Sequence, residues 1–323
     1  MYQNAELDKR QHLSSKHKKG HIKDFIKQID LQLLVLPCII HVIIFAYIPM
    51  YGILMSFQDF RLGDFPGLSE WVGLKHFRYL FTDPNFGLVL RNTVAISILK
   101  IIINFPMPII FAVLLNEIKN AKFKKSVQTI SYLPHFISWV VAATLLFDFF
   151  SVDNGAVNNT LQSIGLIDRP IHFFGKGEYF WWMLVGTDLW KELGWNSIIF
   201  IAAITAIDSQ LYEAAEVDGA GRFSKIWNIT IASIMPTIVI LFIFTIGNLL
   251  NSNFDQIMML TNQMGNARLR EYADVIDTYV YRVGLRESRF SFGAAAGLFK
   301  GGINIVLLLL ANKLASKSEN ALF

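Results

Sequence analysis

Six long apolar stretches govern what this chain can fold into. They run over Leu31–Phe57, Leu88–Glu117, Val127–Phe150, Tyr179–Ile207, Ile234–Leu260 and Phe292–Asn312. A helix needs about 20 such residues to cross the hydrocarbon core of a bilayer, and each stretch reaches that length. Lipid offers no partner to a free backbone N–H or C=O, so helices are the form these segments must take. The composition agrees: 53% of the 323 residues are hydrophobic and only 17% are charged. The expectation is an all-α polytopic membrane protein of six transmembrane helices.

Basic residues orient such a bundle, because Lys and Arg accumulate on the cytoplasmic side. Lys9, Arg10, Lys16, Lys18, Lys19, Lys23 and Lys27 precede the first span. Lys119, Lys122, Lys124 and Lys125 lie between spans two and three, and Lys313 and Lys317 follow the sixth. With six spans all of these fall on one face, which places both termini in the cytoplasm. The segment Asn262–Ser291 would be external, yet it carries Arg268, Arg270, Arg282, Arg286 and Arg289, against the rule. The inner-face lysines account for the net charge of +4 without a nucleic-acid partner. The first apolar run follows a long polar tail and lacks a small-residue cleavage site, so it reads as a span rather than a signal peptide. Cys38 is the single cysteine, which excludes an internal disulfide.

Along the chain, residues 1–30 read as a cytoplasmic tail. Ile22, Phe25, Ile26 and Ile29 within it are spaced for an interfacial helix opposite Lys23 and Lys27. Residues 31–87 hold the first span and an external loop, 88–312 the transmembrane core, and 313–323 a second cytoplasmic tail. Pro106 and Pro108 must bend or break span two, since neither supplies an N–H.

No catalytic grouping, metal-ligand spacing or phosphate-cradling glycine loop is present in the sequence. The chain is therefore expected to bind no cofactor and to catalyse nothing itself. The ionisable residues inside spans are the chemical clue: Lys100, Asp188, Lys191, Glu192, Asp255 and Lys300. Each costs on the order of 2.5–3.5 kcal/mol at the centre of a bilayer, so each should face protein or water. Asp188, Lys191 and Glu192 share a helix face and can pair with one another. Two readings stay open: an internal ion-pair network, or the lining of a hydrated path. Trp190, Gly194, Trp195 and Asn196 in span four suit a sugar path, as do Asn251, Asn253, Phe254, Asp255 and Gln256 in span five. Sugars offer apolar ring faces to aromatics and hydroxyl edges to amides and carboxylates.

Between spans four and five lies Tyr212-Glu213-Ala214-Ala215-Glu216-Val217-Asp218-Gly219-Ala220-Gly221-Arg222-Phe223. It reads as a short helix capped by Asp208 or Ser209, a reversal at Gly219, and a second helix start. These residues resemble the coupling loop of binding-protein-dependent ABC importer permeases of the carbohydrate type (maltose, alginate and other oligosaccharides). The likeness extends from about Leu88 to Asn312. It takes in Tyr132-Leu133-Pro134, Asn251 through Gln256, and Phe292-Gly293-Ala294-Ala295-Ala296-Gly297.

The resemblance implies a type I importer permease in which Glu213, Ala214, Ala215, Asp218 and Gly219 dock on an ATPase. It also implies that residues matching Gly194 and Asn251–Phe254 line the sugar site. The implied partners are a second related permease, two ATPase subunits that carry ATP and Mg, and an external sugar-binding protein. One departure is Ala232, where the family has a proline; Pro236 matches the family's second. The resemblance to alginate- and pectin-type importers, with Lys100, Lys191 and Lys300 at membrane depth, implies an acidic oligosaccharide as cargo. A neutral oligosaccharide is the competing cargo. An ion-coupled transporter or channel using the intramembrane charges is the alternative function.

Overall fold

The computed structural model describes residues 28–316, and helices dominate it. The expected interfacial helix and most of both tails lie outside the described residues. Among the described residues there is no β-strand, only an isolated bridge between Gln58 and Trp71. The chain divides at Leu54 into an N-terminal unit and a main body that starts at Met55.

The N-terminal unit is a single long helix. It comprises α1 (Ile29–Val42), a π-helical turn Ile43–Tyr47 and the start of a 3-10 stretch Ile48–Phe57. Pro37 lies inside α1. The whole run Ile29–Phe57 has the length and apolarity of a span.

In the main body, the segment 58–87 packs with the core, although sequence grouped it with the first span. Gln58 is fully buried; its side chain accepts from Gly67 N at 2.8 Å and donates to Ser69 O at 3.2 Å. The amphipathic α2 (Lys75–Thr82) buries His76 and Leu80. His76 Nε2 lies 3.0 Å from Gln58 O, and burial holds the imidazole pKa below its ordinary value.

The second span is α3 (Pro84–Asn104) followed by α4 (Pro106–Asn116). Asp83 caps α3 through Asn85 N at 2.8 Å. At the join Phe105 N reaches Lys100 O, five residues back, at 3.2 Å. Pro106 is the reason: it has no N–H to continue the ladder.

The third span, read as continuous over Val127–Phe150, is broken. The amphipathic α5 (Ala121–Tyr132) and a 3-10 turn Leu133–Phe136 meet α6 (Trp139–Phe149) at 108°. Ile137 is extended, and Ser138 starts α6 as its N-cap, accepting from Val141 N. With eleven residues, α6 is about 16 Å long. The short α7 (Ala156–Ser163) is anchored by Asn158, whose amide bonds Ser151 O, Ile171 N and Ile171 O.

The central element is α8 (Gly177–Thr205), 29 residues with Asp188, Lys191 and Glu192 near its middle. It bends by 66° into the short α9 (Ser209–Val217). The next span begins earlier and ends earlier than expected. It runs as α10 (Arg222–Lys225), a π-helical stretch Ile226–Ile231 and α11 (Ala232–Gly247). Ala232 is helical, so the chain passes through the missing-proline position without a break.

The chain then unwinds over residues 248–253 and resumes as α12 (Phe254–Leu260). Asn and Ser side chains compete for backbone groups, and this stretch holds Asn248, Asn251, Ser252 and Asn253. Asn253 takes the left-handed conformation, with φ 50°.

The stretch after Asn262 is a folded helical layer. It contains α13 (Ala267–Ala273), α14 (Ile276–Tyr279) and a π-helical turn Val280–Arg286. Leu269, Ala273, Val275, Ile276 and Tyr279 are fully buried or nearly so. Arg282 pairs with the buried Asp274 and lies 3.5 Å from Glu287. The last span is α15 (Phe290–Ala315).

Four runs are long and apolar enough to cross a membrane, and six if each bent pair counts as one. Three apolar clusters hold the body. One joins Ile96, Leu146, Phe180, Leu184 and Ile257; one joins Leu80, Phe86, Leu250, Tyr279 and Phe292; one joins Ala112, Phe200, Ile204 and Ile234.

Candidate functional site

A cavity of about 610 Å³ opens between α3, α4, α8, α11 and the unwound segment. Phe105 at the join of α3 and α4 and the asparagine-rich break both border it, so two interrupted helices shape its wall. Non-helical backbone at membrane depth is tolerated where it is buried in protein or faces water. Here its groups are met individually. Ser97 Oγ donates to Leu249 O, Leu250 N donates to Asn304 Oδ1 at 3.2 Å, and Ser252 N donates to Asp277 Oδ2 at 3.2 Å.

The lining includes Lys100, Asn104, Asp188, Trp195, Asn196, Asn248, Asn251 and Asn253. Of the residues proposed from sequence for the path, Lys100, Trp195, Asn251 and Asn253 therefore meet at one place. Lys100 Nζ lies 3.3 Å from Asp188 Oδ1 and donates to Gln256 Oε1 at 3.0 Å. Asp188 also accepts from Asn104 Nδ2 at 2.8 Å and Asn253 Nδ2 at 3.0 Å. Gln256 is fully buried and donates onward to Leu184 O and Thr187 Oγ1. Asn104 gives no sequence signal beyond standing two residues before Pro106. Its role shows only when span two breaks beside Asp188.

Trp195 is 43% exposed and stacks flat on His135, with centroids 4.1 Å apart and planes 2° apart. His135 comes from the 3-10 turn at the span-three break, and its Nδ1 lies 2.6 Å from Glu192 Oε2. The reading of span three as one continuous helix hid this contact.

The remaining path candidates lie elsewhere. Gly194 is buried against α5: a Cβ there would stand 2.2 Å from Ser131 O, so it is a close-packing position and does not line the cavity. Trp190 borders a separate apolar cavity with Leu145, Phe149 and Trp182. Lys191 is 5% exposed and donates to His135 O at 2.8 Å and Glu192 Oε1 at 3.0 Å. Lys300 pairs with Asp277. Phe254 packs on the Ile96 cluster, and Asp255 is exposed with no ion pair among the described residues.

The mutual pairing expected within span four is thus only partial: Lys191 takes Glu192, while Asp188 turns to Lys100. Asp277, which sequence did not single out, neutralises Lys300. Among the described residues no group of three or more potential ligands could hold a metal ion.

At the other end of α8, the segment around Glu213 forms the short helix, glycine turn and helix start read from sequence. Asp208 caps α9 through Gln210 N at 2.9 Å. Gly219 has φ +78°, and Ala220 N closes the turn on Ala215 O at 2.8 Å. Glu213, Ala214, Asp218 and Gly219 are exposed and Ala215 half-buried. Val217 and Phe223 are 89% and 85% exposed. The turn is tied back by Arg222 to Glu117 at 2.5 Å and Lys225 to Glu216 at 2.6 Å.

Residues 104–318 match the family described as binding-protein-dependent transport system inner membrane component. The chain belongs to this family. It is 45% identical to the polygalacturonan/rhamnogalacturonan transport system permease protein YteP of Bacillus subtilis (strain 168), over 94% of this chain and 92% of that one. Protein LplB of the same organism is 41% identical over 90% and 89% of the two chains. Among solved structures, a bacterial ABC transporter involved in import of the acidic polysaccharide alginate matches with TM-score 0.83 and 39% identity. That match covers 91% of this chain and 98% of the other. The same kind of transporter in complex with an alginate pentasaccharide-bound periplasmic protein matches with TM-score 0.84 and 38% identity, over 93% and 98%. The fold is therefore that of an ABC importer permease, a multi-pass membrane component, and the family is one of transport rather than of catalysis.

Proposed function

We propose that this permease forms one half of the translocation path of an ATP-driven oligosaccharide importer whose preferred cargo is acidic. The observation that carries the reading is the cavity. It sets an exposed indole, Trp195, across from amides and one ion pair, in a chain so similar to permeases for polygalacturonan and alginate. An indole suits the apolar face of a sugar ring, and amides both donate and accept at its hydroxyl edge.

The partners in this reading are a second permease, two ATPase subunits holding ATP and Mg, and an external sugar-binding protein. The exposed α9, with Glu213, Ala214, Ala215, Asp218 and Gly219, would seat on an ATPase. Both termini would lie in the cytoplasm. Closure of the ATPase pair would move α9, and α8 would carry the movement to the cavity, since the two are joined through only three residues, 206–208. Lys191 and Lys300 play no part in charge recognition in this reading, because neither lines the cavity.

The test is ATPase stimulation and uptake in vesicles holding the reconstituted complex. Binding protein loaded with uronate oligomers is compared with binding protein loaded with neutral oligomers of equal length. Stimulation by uronate oligomers is expected. Stimulation by neutral oligomers alone would reject the acidic cargo, and no stimulation by either would reject oligosaccharide import.

A further inference from the structure

Lys100 and Asp188 are the only charged residues lining the cavity, and they are not equivalent partners. Both oxygens of Asp188 are engaged: Oδ1 by Asn253 Nδ2 and the Lys100 ammonium, Oδ2 by Asn104 Nδ2. The ammonium has three N–H donors and two protein partners, Gln256 Oε1 and Asp188 Oδ1. Its distance to Asp188, 3.3 Å, exceeds both amide contacts of that carboxylate. The pair therefore presents a cation with one N–H unused at the cavity wall, while three donors already surround the carboxylate. Asn104 holds that carboxylate from behind: its amide nitrogen is used by Val185 O and Asp188, and its Oδ1 is buried.

We infer that Lys100 forms a carboxylate-reading subsite, with its third N–H donated to a uronate carboxylate. The inference rests on the oligosaccharide reading above and names the group that would make it acid-selective. Asp188 is a positioning residue. Its two amide donors hold it when Lys100 leans toward cargo, so the ammonium can bridge two carboxylates without leaving one bare. A carboxylate in a low-dielectric site needs such a partner. A neutral sugar could accept the same N–H through a hydroxyl and stack on Trp195, but would bring no charge to match the ammonium.

The variant to test is Lys100→Gln combined with Asp188→Asn, which removes both charges together and keeps hydrogen-bonding side chains of similar size. Equilibrium binding of trigalacturonate and of neutral galactotriose to the purified nucleotide-free complex is measured at low salt, beside vesicle uptake. In the wild type trigalacturonate should bind at least tenfold tighter than galactotriose. In the double variant the two should bind within twofold of each other, through loss of trigalacturonate affinity alone. Unchanged trigalacturonate binding in the variant would overturn the subsite. Equal loss for both sugars would overturn it too, assigning the pair a structural role. Neither outcome touches the cargo reading, which fails separately if the wild type takes up no uronate oligomer.

Discussion

Replacing Gly194 by alanine separates a packing position from a path-lining one. The added methyl would stand 2.2 Å from Ser131 O and 2.4 Å from Ser131 C, where real Cβ contacts stay beyond 3.0 Å. The obstacle is backbone, so no rotamer change relieves it, and α5 must part from α8 by roughly 1 Å. Overpacking of this kind costs about 1–3 kcal/mol, and a rigid obstacle belongs at the upper end. Alanine returns about 1 kcal/mol of helix propensity. The net loss is about 2 kcal/mol, worth a fall in Tm of about 3 °C for a chain of this size. Gly186 lies on the same helix with nothing within 4 Å of its added Cβ, so Gly186→Ala is the control and should hold or raise Tm. Thermal unfolding of the purified complex in detergent reads both variants. Uptake in Gly194→Ala should fall equally for every sugar, because the displaced turn carries His135 and the Trp195 stack. An unchanged Tm together with a changed choice of sugar would refute the reasoning and return Gly194 to the path.

Four further outcomes are expected. Asp277→Ala leaves the ammonium of Lys300 and the N–H of Ser252 without their acceptor; stability should fall by about 3 kcal/mol in detergent unfolding, as for a broken buried pair, and by clearly less in Asp277→Asn. Gly219→Pro with Glu213→Ala should give complexes that assemble but no longer couple, since φ +78° is closed to proline; wild-type uptake would exclude a coupling role for this turn. In a Cys38→Ser background, Leu166→Cys should take a membrane-impermeant thiol reagent in intact cells, and Lys119→Cys only after permeabilisation; the reverse pattern would sink the six-span orientation. Because burial holds His76 neutral, the unfolded chain binds a proton below about pH 6.5 that the folded chain refuses. Tm should therefore drop as pH falls from 7 toward 5.5, more steeply in wild type than in His76→Gln, and parallel curves would show that His76 does not carry the effect.

The apolar runs made the all-α membrane architecture legible, because length and hydropathy are properties of the chain alone. The turn at Gly219 was equally legible: Asp208, the alanine pair and the glycine are local signals with local consequences. The breaks were harder to see. Span three looks continuous by hydropathy, and only the extended Ile137 and the Ser138 cap reveal a 108° corner. Span five hides its unwinding in the same way, behind Leu249 and Leu250, while asparagines do the breaking. The helical layer after Asn262 was not legible, because its helices are short and its buried face is assembled from several of them. The partners of charged residues were least visible. Lys100 finds Asp188 across 88 positions and Lys300 finds Asp277 across 23, and nothing in either neighbourhood names the other.

Those pairings carry a mechanical consequence that the sequence order conceals. The unwound segment 248–253 is gripped from two sides. Asp188 of α8 holds the side chain of Asn253, and Asp277 of α14 holds the backbone N–H of Ser252. Each gripping carboxylate is itself matched by a lysine from a third helix, Lys100 of α3 and Lys300 of α15. Four helices thus share one break, and at each grip the charge is closed before it meets lipid. This explains why a bundle tolerates so many ionised side chains at membrane depth, where each alone would be costly. The three lysines differ in place. Lys300 serves the break from outside the cavity, and Lys191 fixes the turn that carries His135. Lys100 alone lines the cavity, and it pairs with Asp188, the carboxylate that grips Asn253, so the grip on the break and the cavity wall coincide there.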